Sequence, residues 1–317
     1  MDKIFSAIRT ADLKWIIFSL ILGALSHISR SLRWNLLIEP LGYKPRKINL
    51  ILSVFIMYLT NFAIPRSGEV VRCGLVSKYE NIPFSKLLGT VISERVVDVI
   101  ILVILGLTMI ATQSQVLIDF INNNPAYKEV FTANSEKYTL ILAVMGVSFL
   151  LIIGLFYLLR KKIMETKIFK KVEDLLMSFK QGLISIVKMK NKWKFIAHSI
   201  FIWTMYFVMI YVCFFSFEFT SDLSILAALS VFVMATIGIV IPSPGGIGTW
   251  HFLAIETLFI YGVEKQTNGS AFAIAVHESS MIMVLIIGLI CLITLPIINQ
   301  FLDKKKSAEP ADNKTIE

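Results

Sequence analysis

The stretch "NFAIPRSGEVVRCGL" (residues 61–75) decides how this chain is read. Apolar sequence lies on both sides of it, yet Pro65, Arg66, Gly68, Glu69 and Arg72 crowd into eight residues. Such a segment is either a loop in water or a polar device held inside a membrane. Pro65 lacks an N–H and fixes φ, so it interrupts one helix or starts the next. Arg66, Glu69 and Arg72 recur every three residues, which on a helix lays them along one side. Gly68 leaves room for close backbone approach. Planar guanidiniums at a helix amino end suit a phosphate. The competing reading is a short turn with solvated charges.

The surrounding composition sets the environment. Of 317 residues, 56% are hydrophobic and 17% charged, with a mean hydropathy of +0.73. A soluble domain carries about a quarter charged residues. Apolar runs fall at 14–38, 48–64, 84–112, 138–160, 195–217, 223–241 and 271–298. Shorter segments at 65–80 and 245–262 are broken by proline or glycine. The expected fold is all-α: a polytopic integral membrane protein of about seven to eight transmembrane helices, two segments interrupted or re-entrant. The first apolar run is too long for a cleaved signal and is followed by no small-residue cleavage site, so it reads as a retained helix.

Charge distribution excludes some function classes. The net charge of +9 could suggest nucleic acid, but eleven Lys/Arg stand against Glu165, Glu173 and Asp174 between Arg160 and Lys194. Between apolar spans, that bias marks a cytoplasmic loop, and no nucleic-acid partner is expected. Within it, Ile168, Val172, Leu175, Phe179, Leu183 and Ile186 step by three and four, as in an amphipathic surface helix. The 113–137 segment reads as an outside loop, whereas Lys44, Arg46 and Lys47 prefer the inside. Lys3, Arg9 and Lys14 disfavour the outside amino end that this arrangement gives. Residues 1–302 then form one membrane domain: half one about 14–112, half two about 195–298, and an amphipathic cytoplasmic linker about 161–193. Residues 303–317 form a polar, disordered cytoplasmic tail. Cys73, Cys213 and Cys291 are scattered singly, as buried inert thiols are.

Three further groups carry chemistry. "VISERVVD" (91–98) puts Glu94, Arg95 and Asp98 inside a span, where charges face the protein interior or a water-filled cavity. They form either a functional wall or a packing cluster. Arg30 and Arg33 read as side chains that snorkel to the interface. "IPSPGGIGTWHFLAIETLF" (241–259) breaks the chain with Pro242, Pro244, Gly245, Gly246 and Gly248, followed by His251 and Glu256. Irregular backbone at membrane depth must be received by protein or a cavity. Glu256, His277 and Glu278 form a candidate proton site, or interfacial residues. Both breaks begin Ile-Pro, an echo that raises an inverted repeat whose broken helices meet. No metal cluster, cofactor or catalytic residue is expected, and the absence of a Walker-type motif argues against ATP hydrolysis.

The run from Asn61 to Asp98, followed by Pro242 to Gly248, resembles the lysylphosphatidylglycerol synthase transmembrane, or flippase-like, family. That family's Asn, Pro-Arg, Gly-Glu and Arg correspond to Asn61, Pro65, Arg66, Gly68, Glu69 and Arg72. Its Glu-Arg-x-x-Asp corresponds to Glu94, Arg95 and Asp98, and its Pro-x-Pro-Gly-Gly-x-Gly to Pro242–Gly248. His251 departs from the acidic residue that many relatives carry. The resemblance implies a stand-alone member without the soluble synthase domain, so aminoacyl transfer is not implied. It implies a multi-pass protein of the cytoplasmic membrane, and with the charged motifs the leading expectation is a translocase that moves an anionic or aminoacylated phospholipid, or a lipid-linked intermediate, without ATP. Membrane lipids are the expected partners, with a separately encoded lipid-modifying enzyme as a further one. Two alternatives stand: an integral membrane transferase or phosphatase using Glu94 or Asp98 as base, and a non-transporting scaffold.

Overall fold

A hydrocarbon core about 30 Å thick needs about twenty helical residues to cross it. Among the described residues, four helical stretches meet that length with apolar composition: Leu13–Leu41, Phe84–Asn123, Lys192–Phe214 and Lys265–Leu302. The structure, a computed structural model, describes residues 2–125, 127–129 and 189–308. No strand occurs among them. The chain is an all-α, multi-pass membrane protein.

The principal helices are α1 (Asp2–Arg9), α2 (Leu13–Ile38), α3 (Lys47–Ala63), α4 (Gly68–Glu80) and α5 (Phe84–Asn123). They continue as α6 (Lys192–Phe214), α7 (Ile225–Val240), α8 (Thr249–Ile260) and α9 (Ser270–Ala308). Their polarity is that of a protein solvated by lipid. On α9, Ile282, Ile286, Leu289, Ile293 and Ile297 form an exposed apolar stripe at helical spacing. On α2, Leu13, Ile17, Phe18, Ile21 and Leu25 face outward. Its buried side carries Ser19, Gly23, Ser26, His27, Ser29, Arg30, Ser31 and Arg33. Small residues allow close helix approach, and polar ones bond across it: Ser29 Oγ lies 2.8 Å from His198 Nδ1 on α6.

The helices α3 and α7 are 17 and 16 residues long, about 25 Å each at the helical rise, short of a full crossing. Each stops at its Ile-Pro break and the chain turns back along it. Glycine closes both hairpins. A Cβ on Gly68 would fall 2.2 Å from the Met57 carbonyl oxygen, and one on Gly238 would fall 2.8 Å from that of Thr249. The hairpins are then pinned. Asn61 Oδ1 accepts from the Gly68 N–H at 2.8 Å, and Thr249 Oγ1 donates to the Gly238 carbonyl at 2.7 Å.

Packing in one half is echoed in the other. The first long helices, α2 and α6, lie along each other. Helix α3 packs on α9 as α7 packs on α5, and each hairpin packs on its following long helix. The tips of the two hairpins touch: a Cβ on Gly245 would be 3.2 Å from the Phe62 ring, and Arg66 donates to the Val240 carbonyl.

Several expectations are corrected. Helix α4 begins at Gly68, not Pro65, because Ile64 is extended and Arg66 is left-handed at φ 64°. Helix α5 continues to Asn123, so 113–123 is not loop: "ATQSQVLIDFINN" contains no proline or glycine to end it. Helix α9 likewise carries 303–308, the expected start of the tail. The expected span at 138–160, the amphipathic helix at 163–187 and residues 309–317 lie outside the described residues.

Candidate functional site

Two residues four apart on α5, Glu94 and Asp98, share a face, and two residues three apart on α2, Arg30 and Arg33, meet it. Arg30 Nη1 lies 2.6 Å from Glu94 Oε1 and 3.2 Å from Asp98 Oδ2. Arg33 places Nη2 3.1 Å from Glu94 Oε1 and Nη1 2.9 Å from Asp98 Oδ1. Arg72, one turn into α4, sets Nη2 2.9 Å from Glu94 Oε2. Arg95 closes the group from outside, at 3.3 Å from Glu94 and 3.7 Å from Asp98. Arg33, Arg72 and Glu94 are fully buried, whereas the Arg95 side chain is 42% exposed. Arg30 and Arg33 therefore do not snorkel. Local pairing of Arg95 with Asp98 is present, but it is the smallest part of the network.

Charge does not balance here. Four guanidiniums against two carboxylates leave two positive charges. Nε of Arg30, Arg33, Arg72 and Arg95, and Nη1 of Arg72, are buried without a hydrogen-bond partner. Aromatic faces supply part of the compensation: the Arg72 guanidinium lies 4.5 Å from the Trp34 ring centre, and that of Arg33 5.6 Å from Phe195. Trp34 is held in turn by Thr90 at 2.8 Å. Tyr206 accepts from Arg30 at 3.5 Å and shares a hydrogen bond with Tyr58 at 3.0 Å. Uncompensated buried charge is costly, by several kcal/mol per ion.

The opening stretch is divided in function. Arg72 belongs to the buried array. Arg66 is exposed, off the helix, and binds the other hairpin, so the expected common face of Arg66, Glu69 and Arg72 does not form. Glu69 is half-buried in the first turn of α4, where a carboxylate complements the helix dipole. Asn61 and Gly68 build the hairpin, and Pro65 is half-buried at its tip.

In the second break Pro242, Pro244 and Gly248 are exposed, while Gly245 and Gly246 take φ of 58° and 84°. Those left-handed angles turn the chain tightly enough to bring α8 back onto α7. His251 on α8 then meets Glu278 on α9, Nε2 to Oε1 3.3 Å, with His277 Nδ1 at 3.6 Å from the same oxygen. Glu256 does not join them. It lies on another side of α8, paired with Lys265 at 2.6 Å, and Lys265 also reaches Tyr127 at 3.1 Å. The expected proton-site trio is thus split between two places.

Sequence reasoning missed Arg30, Arg33, Trp34 and Tyr206 as members of the array. The available signal was "SHISRSLRW" (26–34), which is too polar on one face for a lipid-solvated helix.

The profile for the lysylphosphatidylglycerol synthase TM region matches residues 1–288. The chain belongs to that family. Among curated proteins, the chain is similar to a UPF0104 membrane protein of Methanocaldococcus jannaschii. They are 24% identical, with 96% of this chain and 91% of the relative covered. A UPF0104 membrane protein of Methanothermobacter thermautotrophicus is also 24% identical, over 85% of this chain and 82% of the relative. One of Pyrococcus horikoshii is 22% identical over 84% and 82%. No solved structure is matched significantly.

Proposed function

We propose that this family member translocates a lipid with an anionic headgroup across the cytoplasmic membrane, without ATP hydrolysis. The observation that carries this reading is the array itself: two uncompensated positive charges, with unfilled donors, among membrane-spanning helices. A phosphate is the ligand whose charge and oxygen lone pairs answer that deficit. Arg66 and Arg95, the guanidiniums that reach the surface, meet the headgroup first. Arg30, Arg33 and Arg72 supply the field behind them. The junction of the two hairpins serves as the moving part, since the hydrogen bond the tips share is that from Arg66 to the Val240 carbonyl. An open apolar groove of about 350 Å³ between α2 and α9, lined by Leu20, Ile282, Met283, Ile286 and Ile287, suits an acyl chain.

The transferase or phosphatase reading finds less support. Each oxygen of Glu94 and Asp98 already faces a guanidinium, and Asp98 Oδ1 also lies 3.4 Å from Trp203 Nε1. Both carboxylates are thus engaged in holding guanidiniums rather than free to serve as a base.

Vesicles reconstituted with the purified protein and fluorescent phosphatidylglycerol test the proposal. Leaflet exchange should fall by about tenfold or more in Arg66→Ala and in Arg95→Ala, the loss of one charge-assisted hydrogen bond. Exchange unchanged by both substitutions, in monodisperse protein, discards this site. Chemical conversion of the lipid would support the enzyme reading instead.

A further inference from the structure

We infer that His251, His277 and Glu278 bind a divalent transition metal, zinc or a close relative, beside the glycine-rich break. One ligand atom from each residue lies within 4.8 Å of the others. Tetrahedral zinc with bonds of about 2.0–2.1 Å sets its ligand atoms about 3.3 Å apart. The 3.3 Å from His251 Nε2 to Glu278 Oε1 has that spacing already and the 3.6 Å from His277 Nδ1 is close to it, while the two imidazoles, within 4.8 Å of each other, must rotate closer to share one ion.

The independent observation is the state of His277. It is 4% exposed, and both of its ring nitrogens are buried without a hydrogen-bond partner. A buried imidazole ordinarily finds a partner for at least one nitrogen. Here Trp250 packs on the ring at 4.9 Å and His251 at 4.7 Å, and a Cβ on Gly246 would sit 3.5 Å from Nε2. The ring is held in place, and the group it faces is a carboxylate shared with a second imidazole. Two imidazoles and one carboxylate form a donor set suited to zinc, cobalt or nickel rather than to calcium or magnesium.

Loading has a structural consequence. His251 Nδ1 lies 3.4 Å from the Gly248 N–H. Metal on Nε2 places the ring proton on Nδ1, which opens that long contact at the first turn of α8. The side chain of Glu278 is 39% exposed and that of His251 15%, which provides an entry path. Three protein ligands leave a further position for water or another oxygen. This site stands apart from the Glu94–Asp98 array and does not depend on the translocase reading. Linear spacing hid it, because His251 and His277 lie on different helices.

The test uses the full chain purified in detergent without a polyhistidine tag. Zinc should be retained at about one per chain through desalting and be removed by a chelator. Cobalt titration should give intense visible absorption of four- or five-coordinate type. His251→Ala and Glu278→Gln should each weaken cobalt binding by more than about 100-fold, beyond the 10–100-fold that losing an outer-shell partner costs. His198→Ala, which removes an imidazole on α6, should leave binding unchanged. If His277→Ala fails to fold, the two part-exposed positions carry the test. Substoichiometric zinc, a six-coordinate cobalt spectrum, or binding unaffected by His251→Ala and Glu278→Gln overturns the inference.

Discussion

Glu94 is the hub of the buried array, with Arg30, Arg33, Arg72 and Arg95 all within salt-bridge distance of it. Removing one partner of a buried pair costs about 3–5 kcal/mol, since the other charge stays behind. In an array already two charges positive, loss of an acid and loss of a base are unequal. Glu94→Gln raises the imbalance, while Arg72→Met lowers it and keeps an apolar body against Trp34. Glu94→Gln should therefore lower the thermal midpoint in detergent clearly more than Arg72→Met does; equal losses would show that the imbalance has no energetic weight. At this scale the sequence disclosed residue types but not partners. Glu94 and Asp98 announce themselves as charges within a span. Arg30 and Arg33 are too near the end of theirs to be told from snorkelling side chains, and only the α2–α5 contact separates the two.

At the scale of elements, the two helical hairpins depend on glycines that admit a neighbouring backbone. A methyl at Gly68 or Gly238 meets a carbonyl oxygen, which cannot move aside as a flexible side-chain end can. Gly68→Ala and Gly238→Ala should each cost about 1–3 kcal/mol, read as a lowered melting temperature. Gly74→Ala on the same α4 meets nothing within 4 Å and should be neutral or slightly stabilising. Little effect at Gly68 and Gly238 would mean that the hairpins are looser than this packing. Element existence was largely legible. Apolar runs with Pro and Gly punctuation placed α2, α3 and α7 close to their observed bounds, and α9 at its start. Helix ends were not, because continuation of α5 through Asn123 and of α9 through Ala308 depends on backbone hydrogen bonding that composition does not mark.

For the whole molecule, the corresponding pairings of α3 on α9 and α7 on α5 enclose a junction where the hairpin tips meet. If that junction is the moving part, tying it should stop transport without unfolding the protein. Phe62→Cys with Gly245→Cys, bridged by a short bifunctional maleimide, should abolish leaflet exchange relative to the same double variant left unbridged, which carries any cost of a side chain at the left-handed Gly245. Cys73, Cys213 and Cys291 are buried and leave the pair selectively reactive. Exchange that persists in the bridged protein would move the transport path elsewhere. By itself the sequence determined the solvent of this chain, its helical class and the positions of its two breaks. Backbone groups in lipid must be satisfied within the helix, and proline and glycine are where that fails. Only the tertiary structure decided which charges share a site. Arg30 and Glu94 are 64 residues apart, and His251 and His277 sit on separate helices. Coulombic and ligand geometry act over a few ångströms of space, a distance that linear order does not encode. "IPRSGEVVR" thus holds one arginine of the buried array and one of the junction, and the fold alone assigned each.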